Sequence, residues 1–486
     1  MAIVSSAQLI KVLQQYNPWW RNPDLISLET KPQKRNVYFE TVKTINHPSI
    51  RRFAVLSGAR RVGKTTVLFQ VIKKLIDESI PAKNIFYISF DNPIIKMVSV
   101  EEVIDTYETL YPTQGIKYLF FDEIQYTENW ELWMKVIYDS RHDIKLIATG
   151  SASPVLEKGA SDSGVGRWNV LKVPTLSFYE YCELLKLSER PLIPKGLHFT
   201  RLSKMPKGEL ADLVNQFAPL QQHFNRYLTI GGFPELVLSD DDVYAQRMLR
   251  EDVVDKVIKR DVLSLFNVRN PLTMEKLFLY LCMNSSEIFS KQTAAKELGN
   301  ISVSTIEDYL GFLEKSNLIY ISDPLLVGSR AALKGKPKIY IADAAIRNAV
   351  LMMDDVLSDD KEMGIMVETA VYKHTISFYQ TAPSVHVGYY RRAKENQKEV
   401  DIVIALPKEI ILCEVKYRNN SSVPASDAII ALSKEKGAKV SGSFIITKSL
   451  TDYGFAKHDT TIPVFRIPAL VFVYLLGQAE AINHIN

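Results

Sequence analysis

FAVLSGARRVGKTTVLFQVIKKLI, residues 53–76, decides the reading of the fold. A strand-like run at 53–57 passes into a loop containing Gly58 and Gly63, and an apolar helical pattern starts directly after Lys64, Thr65 and Thr66. Strand, glycine loop and helix in that order are the setting a phosphate-binding loop requires. Glycine at 58 and 63 lets backbone N–H groups turn inward without a Cβ in the way. The loop Gly58, Ala59, Arg60, Arg61, Val62, Gly63, Lys64, Thr65 and Thr66 is therefore expected to wrap the phosphates of ATP. Lys64 would reach the β- and γ-phosphates, Thr65 would coordinate Mg²⁺, and the helix N-terminus would add partial positive charge. A plain glycine turn before a helix is the alternative, and the Lys-Thr pair at this spacing disfavours it.

Outward from the loop, strand-like runs at 84–90, 117–121 and 145–149 alternate with helical patterns, which predicts an α/β fold with a parallel sheet wrapped by helices. YLFFDEIQ, at 118–125, places Asp122 at the carboxyl end of a buried strand, where a metal-bound water is held, and Glu123 beside it to orient or deprotonate an attacking water. ATP hydrolysis is the expected reaction. The strand at 145–149 runs into GSAS, so Thr149 or Ser151 is placed to bond the γ-phosphate or the water, with a plain serine-rich loop as the alternative.

Bulk composition limits the rest. With 486 residues, 47% of them apolar and 23% charged, the chain is long enough for about three domains, each with its own core. Cys182, Cys282 and Cys413 lie too far apart for a disulfide framework or a zinc pair, which fits a reducing cytoplasm. No leader-like or membrane-spanning run is present, so neither export nor membrane insertion is expected. A formal charge of +4 says little about nucleic acid.

Four segments are read: an N-terminal helical piece at 1–35, the P-loop domain at 36–225, a helical and winged-helix domain at 226–345 and an α/β tail at 346–486. In the third, two helical patterns precede a third in which Ser304 and Glu307 are spaced as a capping box and Ile306, Tyr309, Leu310 and Leu313 form the apolar face. NLIYIS and KPKIYIAD then read as a strand pair. In the tail, a helix precedes three strands, a further helix and a strand. Asp401 lies in EVDIVIAL, and Glu414 and Lys416 share a face of the next strand. Carboxylates on neighbouring strands can hold a second Mg²⁺ or a Mn²⁺ that activates water, with Lys416 assisting and Glu368 completing the cluster from its helix. A surface salt-bridge pair is the usual alternative for such an ExK pattern.

GARRVGKTT, LFFDEIQ, ATGSAS followed by GRW and PTLSFYEY, YLTIGGFPE, IKRDVLSLFNVRNP, and EVDIVI with ILCEVKYR together resemble prokaryotic AAA-type ATPases joined to a C-terminal domain of unknown function, number 4143. The resemblance covers nearly the whole chain. It implies that Arg167, in GRW, is a γ-phosphate sensor or a finger reaching a neighbour's site in a homo-oligomer; an ordinary surface arginine is the alternative. Arg226 and Arg260 are candidates for a second sensor, and a hexameric ring is not implied. The tail, with its D…ExK pattern, is similar to the restriction-nuclease fold, either retained as a nuclease or outliving its chemistry.

DNA is the expected partner, although Glu307, Asp308 and Glu314 give the presumed recognition helix an acidic face. Better basic candidates are Arg330, Lys334, Lys336 and Lys338 in the wing, with Arg391, Arg392 and Lys394 beside the tail site. His142, His223 and His374 read as structural or surface residues, and Trp19 and Trp20 as packing residues. Two functions remain open: an ATPase coupled to a nuclease-like domain acting on DNA, and a nucleotide-regulated interaction protein that cuts nothing.

Overall fold

The computed structural model describes residues 4–151, 166–262, 268, 270–325, 335–353, 355–379, 382, 384–391, 399–419, 421–456 and 463–485. Two units divide the chain, one built on Met1–Pro174 and the other on Thr175–Glu314 and Leu318–His484.

In the first, β1 (Phe53–Ser57), β2 (Ile85–Ser89), β3 (Lys117–Asp122), β4 (Ile144–Gly150) and β5 (Trp168–Lys172) form one sheet in the order β2-β3-β4-β1-β5. All neighbours run parallel. Every residue of β1, β2 and β3 is buried, because helices cover both faces of a parallel sheet and select continuous apolar runs. The carboxyl ends of the strands share one edge, where an open α/β sheet binds its ligands. Since β4 lies between β1 and β3, its last residues stand between the glycine loop and Asp122.

Strand β2 is an edge, and the residues before the sheet seal it. Asn17 Nδ2 donates to the Tyr87 carbonyl (2.8 Å), while Asn17 Oδ1 accepts the Tyr87 N–H (2.7 Å), so one amide replaces a missing strand. The indoles of Trp19 and Trp20 both donate to the Ile85 carbonyl, at 3.1 and 2.8 Å. Trp20 also stacks on Phe86 and Tyr107. The tryptophans pack as expected, and the segment 1–35 belongs with this sheet.

In the second unit, helices Pro271–Met283, Lys291–Glu297 and Val303–Lys315 precede an antiparallel pair, β6 (Ile319–Ser322) and β7 (Lys338–Ile341), in the predicted order. The expected capping box is corrected. The third helix begins at Val303, which puts Ser304 inside its first turn; Ser302 Oγ accepts the Thr305 N–H (3.1 Å), and Glu307 pairs with Lys291 instead. Its apolar face is buried as predicted.

Helix Asp360–Tyr379 leads into a mixed sheet, β12-β13-β11-β10-β9-β8, made of β8 (His386–Arg391), β9 (Glu399–Ala405), β10 (Ile410–Lys416), β11 (Val440–Thr447), β12 (Gly454–Phe455) and β13 (Phe465–Pro468). Helix Ala428–Lys436 separates β10 from β11. The order through β11 follows the sequence reading; β12, β13 and the final helix, Ala469–Ile485, were not anticipated. Residues 469–476 of that helix are apolar on every side because they are core: Tyr474 packs on Phe178 and Phe217, and Phe472 on Phe199. A Cβ at Gly477 would come within 2.8 Å of Ser177 Oγ. No helix among the described residues is long and apolar enough to cross a membrane.

The segments PTLSFYEY and YLTIGGFPE meet at a buried polar junction. Asp343 Oδ2 accepts from Thr175 Oγ1 (2.6 Å), the Gly232 N–H (3.2 Å) and Lys373 Nζ (3.3 Å), and Lys373 also donates to the Leu176 carbonyl and Tyr227 hydroxyl at 2.8 Å. Gly231, at φ 78°, is needed here: a Cβ would lie 2.6 Å from Asp343 Oδ1. His374 Nε2 accepts the Phe178 N–H (2.9 Å), and burial pushes its pKa down to about 3, so it is a neutral structural residue, as expected.

Candidate functional site

The glycine loop ends on Gly63, whose φ of 95° makes the turn into helix Lys64–Asp77. Arg61 is also left-handed, at φ 62°. Lys64 is buried, its ammonium donating to the carbonyls of Gly58 and Ala59 at 2.9 Å each. Gly58 is required for a reason that the sequence reading did not give. A Cβ there would meet the Val173 carbonyl at 2.2 Å, so the constraint comes from the chain just after β5. Arg35 braces the loop from outside, donating to the carbonyls of Val62 (2.8 Å) and Pro174 (2.9 Å). Arg60 donates to the Tyr126 hydroxyl at 2.9 Å.

Asp122 is brought to the loop by the β3 end. Its Oδ2 accepts from Thr65 Oγ1 (2.8 Å) and the Tyr87 hydroxyl (2.9 Å), and its Oδ1 accepts from Thr149 Oγ1. Burial raises its pKa, and the neighbouring Glu123 charge raises it further, so the pocket would be eased by a cation. Glu123 adopts a left-handed φ of 52°, uncommon for a side chain of this size and a form of strain that clusters at functional sites. Its N–H donates to Thr149 Oγ1 at 3.0 Å. Gln125 Nε2 donates both to Glu123 Oε2 and to Ser151 Oγ (3.0 Å), so Ser151 acts on the acidic pair through Gln125.

Arg167 is not with them. It immediately precedes β5, and its carbonyl accepts the N–H of Phe53, the first residue of β1, whereas the glycine loop follows the last. Five residues at about 3.3 Å each separate the two ends of β1. Arg167 therefore cannot sense a γ-phosphate in its own chain. Its guanidinium is paired with Asp139 through two bonds, at 2.9 and 3.0 Å. Arg226 is likewise engaged, with Asp242 and the carbonyls of Val237 and Ser239. The side chain of Arg260, and Arg330, Lys334, Arg392 and Lys394, lie outside the described residues.

In the tail, the expected acids do converge. The β9–β10 register carries Asp401 opposite Glu414, on one face of the sheet, and Glu368 joins Asp401 from its helix. Between Glu368 and Asp401 is an ammonium: Lys338 Nζ lies 3.2 Å from Glu368, 2.9 Å from Glu399 and 3.1 Å from Asp401. Lys338, at 1% side-chain exposure, is no DNA contact, which corrects its assignment to a basic wing. Lys416 is buried against Asp427, so it is no free catalytic lysine. The paired-carboxylate metal site on Asp401 and Glu414 is corrected as well. Among the described residues no three His, Cys, Asp or Glu side chains are arranged to hold an ion. The reason is that Asp401 spends one oxygen on Lys338 and the other on the Val415 N–H (2.9 Å). Burial pushes Glu368 up to about 7, with the Lys338 charge opposing. Glu414 is raised well above the usual range by burial and by Asp401.

A family model described as an AAA domain matches residues 51–182, and models for domains of unknown function 8612 and 4143 match 221–357 and 363–468. The chain is an AAA-domain protein with a DUF4143 tail. An uncharacterized protein of Methanocaldococcus jannaschii is 26% identical over 325 residues, 66% of each chain. An uncharacterized protein of Haemophilus influenzae is 23% identical over 77% of this chain and 85% of its own length. Among solved structures, the Aeropyrum pernix ORC1 protein in complex with DNA aligns over 69% of this chain and 96% of that one, with 15% identity and a TM-score of 0.29.

Within this AAA–DUF4143 chain, four residues that matter to the two sites went unassigned or misassigned in the sequence. Tyr87 and Arg35 carry no local motif. Gln125 is inside the quoted DEIQ run, two residues past Glu123, and was readable there. Lys338 was noticed only as a positive charge.

Proposed function

We propose that the chain binds Mg·ATP at Gly58–Thr66 and hydrolyses it. The observation that carries this reading is the bonded set Thr65–Asp122–Thr149–Glu123, which joins the helix N-terminus to two adjacent acids at the sheet's carboxyl edge. Magnesium fits here, because a hydroxyl and a buried carboxylate oxygen 2.8 Å apart are the hard oxygen donors it takes; bound, it supplies charge neutralisation at the β- and γ-phosphate oxygens. Lys64 offsets the terminal phosphates. Glu123, held by Gln125 and by its own backbone bond to Thr149, orients a water and accepts its proton. Thr149 and Tyr87 keep Asp122 fixed. The test is a pair of variants in a phosphate-release assay with nucleotide binding measured alongside. Lys64→Ala should abolish affinity, whereas Glu123→Gln should keep binding and lower turnover at least about 100-fold. Normal turnover by the Glu123→Gln protein would remove the assigned base.

A second reading concerns the tail, and the engagement of Lys338 and Lys416 in ion pairs favours the non-cutting form. We infer that ATP turnover switches a partner-binding module. DNA added to the ATPase assay tests whether nucleic acid is that partner, and a cleavage assay in Mg²⁺ and Mn²⁺ should show no metal-dependent cutting.

A further inference from the structure

Asp122, at the end of β3, is tied to the segment that precedes the sheet. In the β2–β3 register Tyr87 stands opposite Phe120, two residues before the Ser89–Asp122 pair, so alternation puts the Tyr87 and Asp122 side chains on one face of the sheet. The Tyr87 hydroxyl spans that step and donates to Asp122 Oδ2 at 2.9 Å. Helix Lys64–Asp77 reaches both residues from positions one turn apart: Thr65 donates to Asp122 (2.8 Å), and Phe69 packs on the Tyr87 ring, with centroids 4.9 Å apart. Further holds on Tyr87 come from the N-terminal segment. Tyr16 meets its ring edge-on at 5.8 Å, and Asn17 takes both of its backbone groups. Tyr16 is itself anchored past the end of β2, where Asn92 Nδ2 donates to its hydroxyl at 3.2 Å.

We propose that Tyr87 is a positioning residue of the metal site and that Tyr16 and Asn17 set it there, so that the N-terminal segment governs how tightly Mg²⁺ is held. The inference rests on Asp122 being the carboxylate that holds the ion. Three hydroxyls donate to Asp122, from Thr65, Tyr87 and Thr149. Thr65 is itself assigned to the ion, so the two that remain to orient the carboxylate are Thr149 on Oδ1 and Tyr87 on Oδ2. One donor on each oxygen fixes the plane of the group as well as its place. Partners of this kind, outside the ligand set, typically change metal affinity by about 10–100-fold when they are removed. Tyr87 sits on an edge strand, which lacks a neighbouring strand on one side. Asn17 supplies the missing backbone partner there, and a shift of that peptide would carry the hydroxyl away from Asp122.

The experiment titrates full-length, ADP-saturated protein with Mn²⁺, followed by the paramagnetic resonance of the free ion, with ADP affinity measured separately in excess EDTA. Tyr87→Phe keeps the ring and deletes the hydroxyl: Mn²⁺ affinity should fall at least about 10-fold while metal-free ADP affinity stays within about two-fold. Asn17→Ala should lower Mn²⁺ affinity at least about three-fold, and should add nothing in the Tyr87→Phe background, because it acts through that hydroxyl. Tyr16→Leu, which removes the ring packed on Tyr87, takes the place of Asn17→Ala if the latter does not fold by circular dichroism. Unchanged Mn²⁺ affinity in Tyr87→Phe, or an equal loss of metal-free ADP affinity, overturns the role of the hydroxyl. Additive losses in the double variant overturn that of the N-terminal segment. If Asp122→Asn leaves Mn²⁺ affinity intact, the assignment of the ion to Asp122 fails first, and the inference fails with it.

Discussion

Thr149 joins the two acids at the end of β3: its hydroxyl donates to Asp122 Oδ1, and the same oxygen accepts the backbone N–H of Glu123 at 3.0 Å. One side chain thus fixes both the residue placed to hold the ion and the residue placed to activate water. Thr149→Val keeps the shape and deletes both bonds. Turnover should fall about 10- to 100-fold, as small displacements of reacting groups cost, with nucleotide affinity changed far less. Thr149→Ser should recover most of the rate. Equal losses in affinity and turnover, or no rescue by serine, would mean that Thr149 serves only folding.

Arg167→Ala should leave intrinsic ATPase within about two-fold, since its guanidinium is committed to Asp139 at the far end of β1 from the glycine loop. A rate drop that is recovered on mixing with Lys64→Ala protein would instead identify a finger supplied to a neighbouring chain.

Glu368 and Glu414 should make the stability of the tail depend on pH. Both carboxyls hold their protons more tightly folded than unfolded, so protons are taken up on folding and stability falls as pH rises. At Glu368 the loss runs from the ordinary value of 4.5 up through about 7. Chemical denaturation at pH 5 and pH 7.5 should show the higher midpoint at pH 5, and Glu368→Gln should flatten the difference. A midpoint that rises with pH, or an unaltered slope in the variant, would contradict the assignment.

Asn17→Ala exposes no new surface but strips the partners from both backbone groups of Tyr87, and should cost about 1–3 kcal/mol. Trp20→Ala, which removes a buried ring stacked on Phe86 and Tyr107, should cost about 3–5 kcal/mol. Denaturant unfolding of the sheet unit measures both.

How much of this was legible depends on distance along the chain. Strands β1 to β4 were readable because a parallel sheet covered on both faces writes itself as short, unbroken apolar runs, and the phosphate loop because its glycines, lysine and threonine are consecutive. WNVLK was passed over: as an edge strand with half-exposed positions it has neither a full apolar run nor a clean alternation. That Glu414 and Lys416 share a face of β10 followed from strand periodicity. Lys338 could not be placed the same way, since it reaches Glu368 across 30 residues and Asp401 across 63, and no spacing rule ties it to either. Asp427, which captures Lys416, lies beyond the strand that displayed the pattern.

The packing of helix Ala469–Ile485 against Phe178, Phe199 and Phe217 sets a timetable for biosynthesis. Residues through Pro174 contain every strand of the nucleotide-binding sheet, so that sheet can close while the ribosome is still at work. The aromatic cluster begun at residue 178 gains Phe224 and Tyr227 early, but its cover is not complete until the residues after 469 are made. At about 5–20 residues per second the wait is roughly 15–60 s. Throughout it, the sides of Phe178, Phe199 and Phe217 that Phe472 and Tyr474 will cover are apolar surface in a crowded cell, so a polysome stalled before residue 469 would present a chaperone with a finished sheet and an open, sticky remainder.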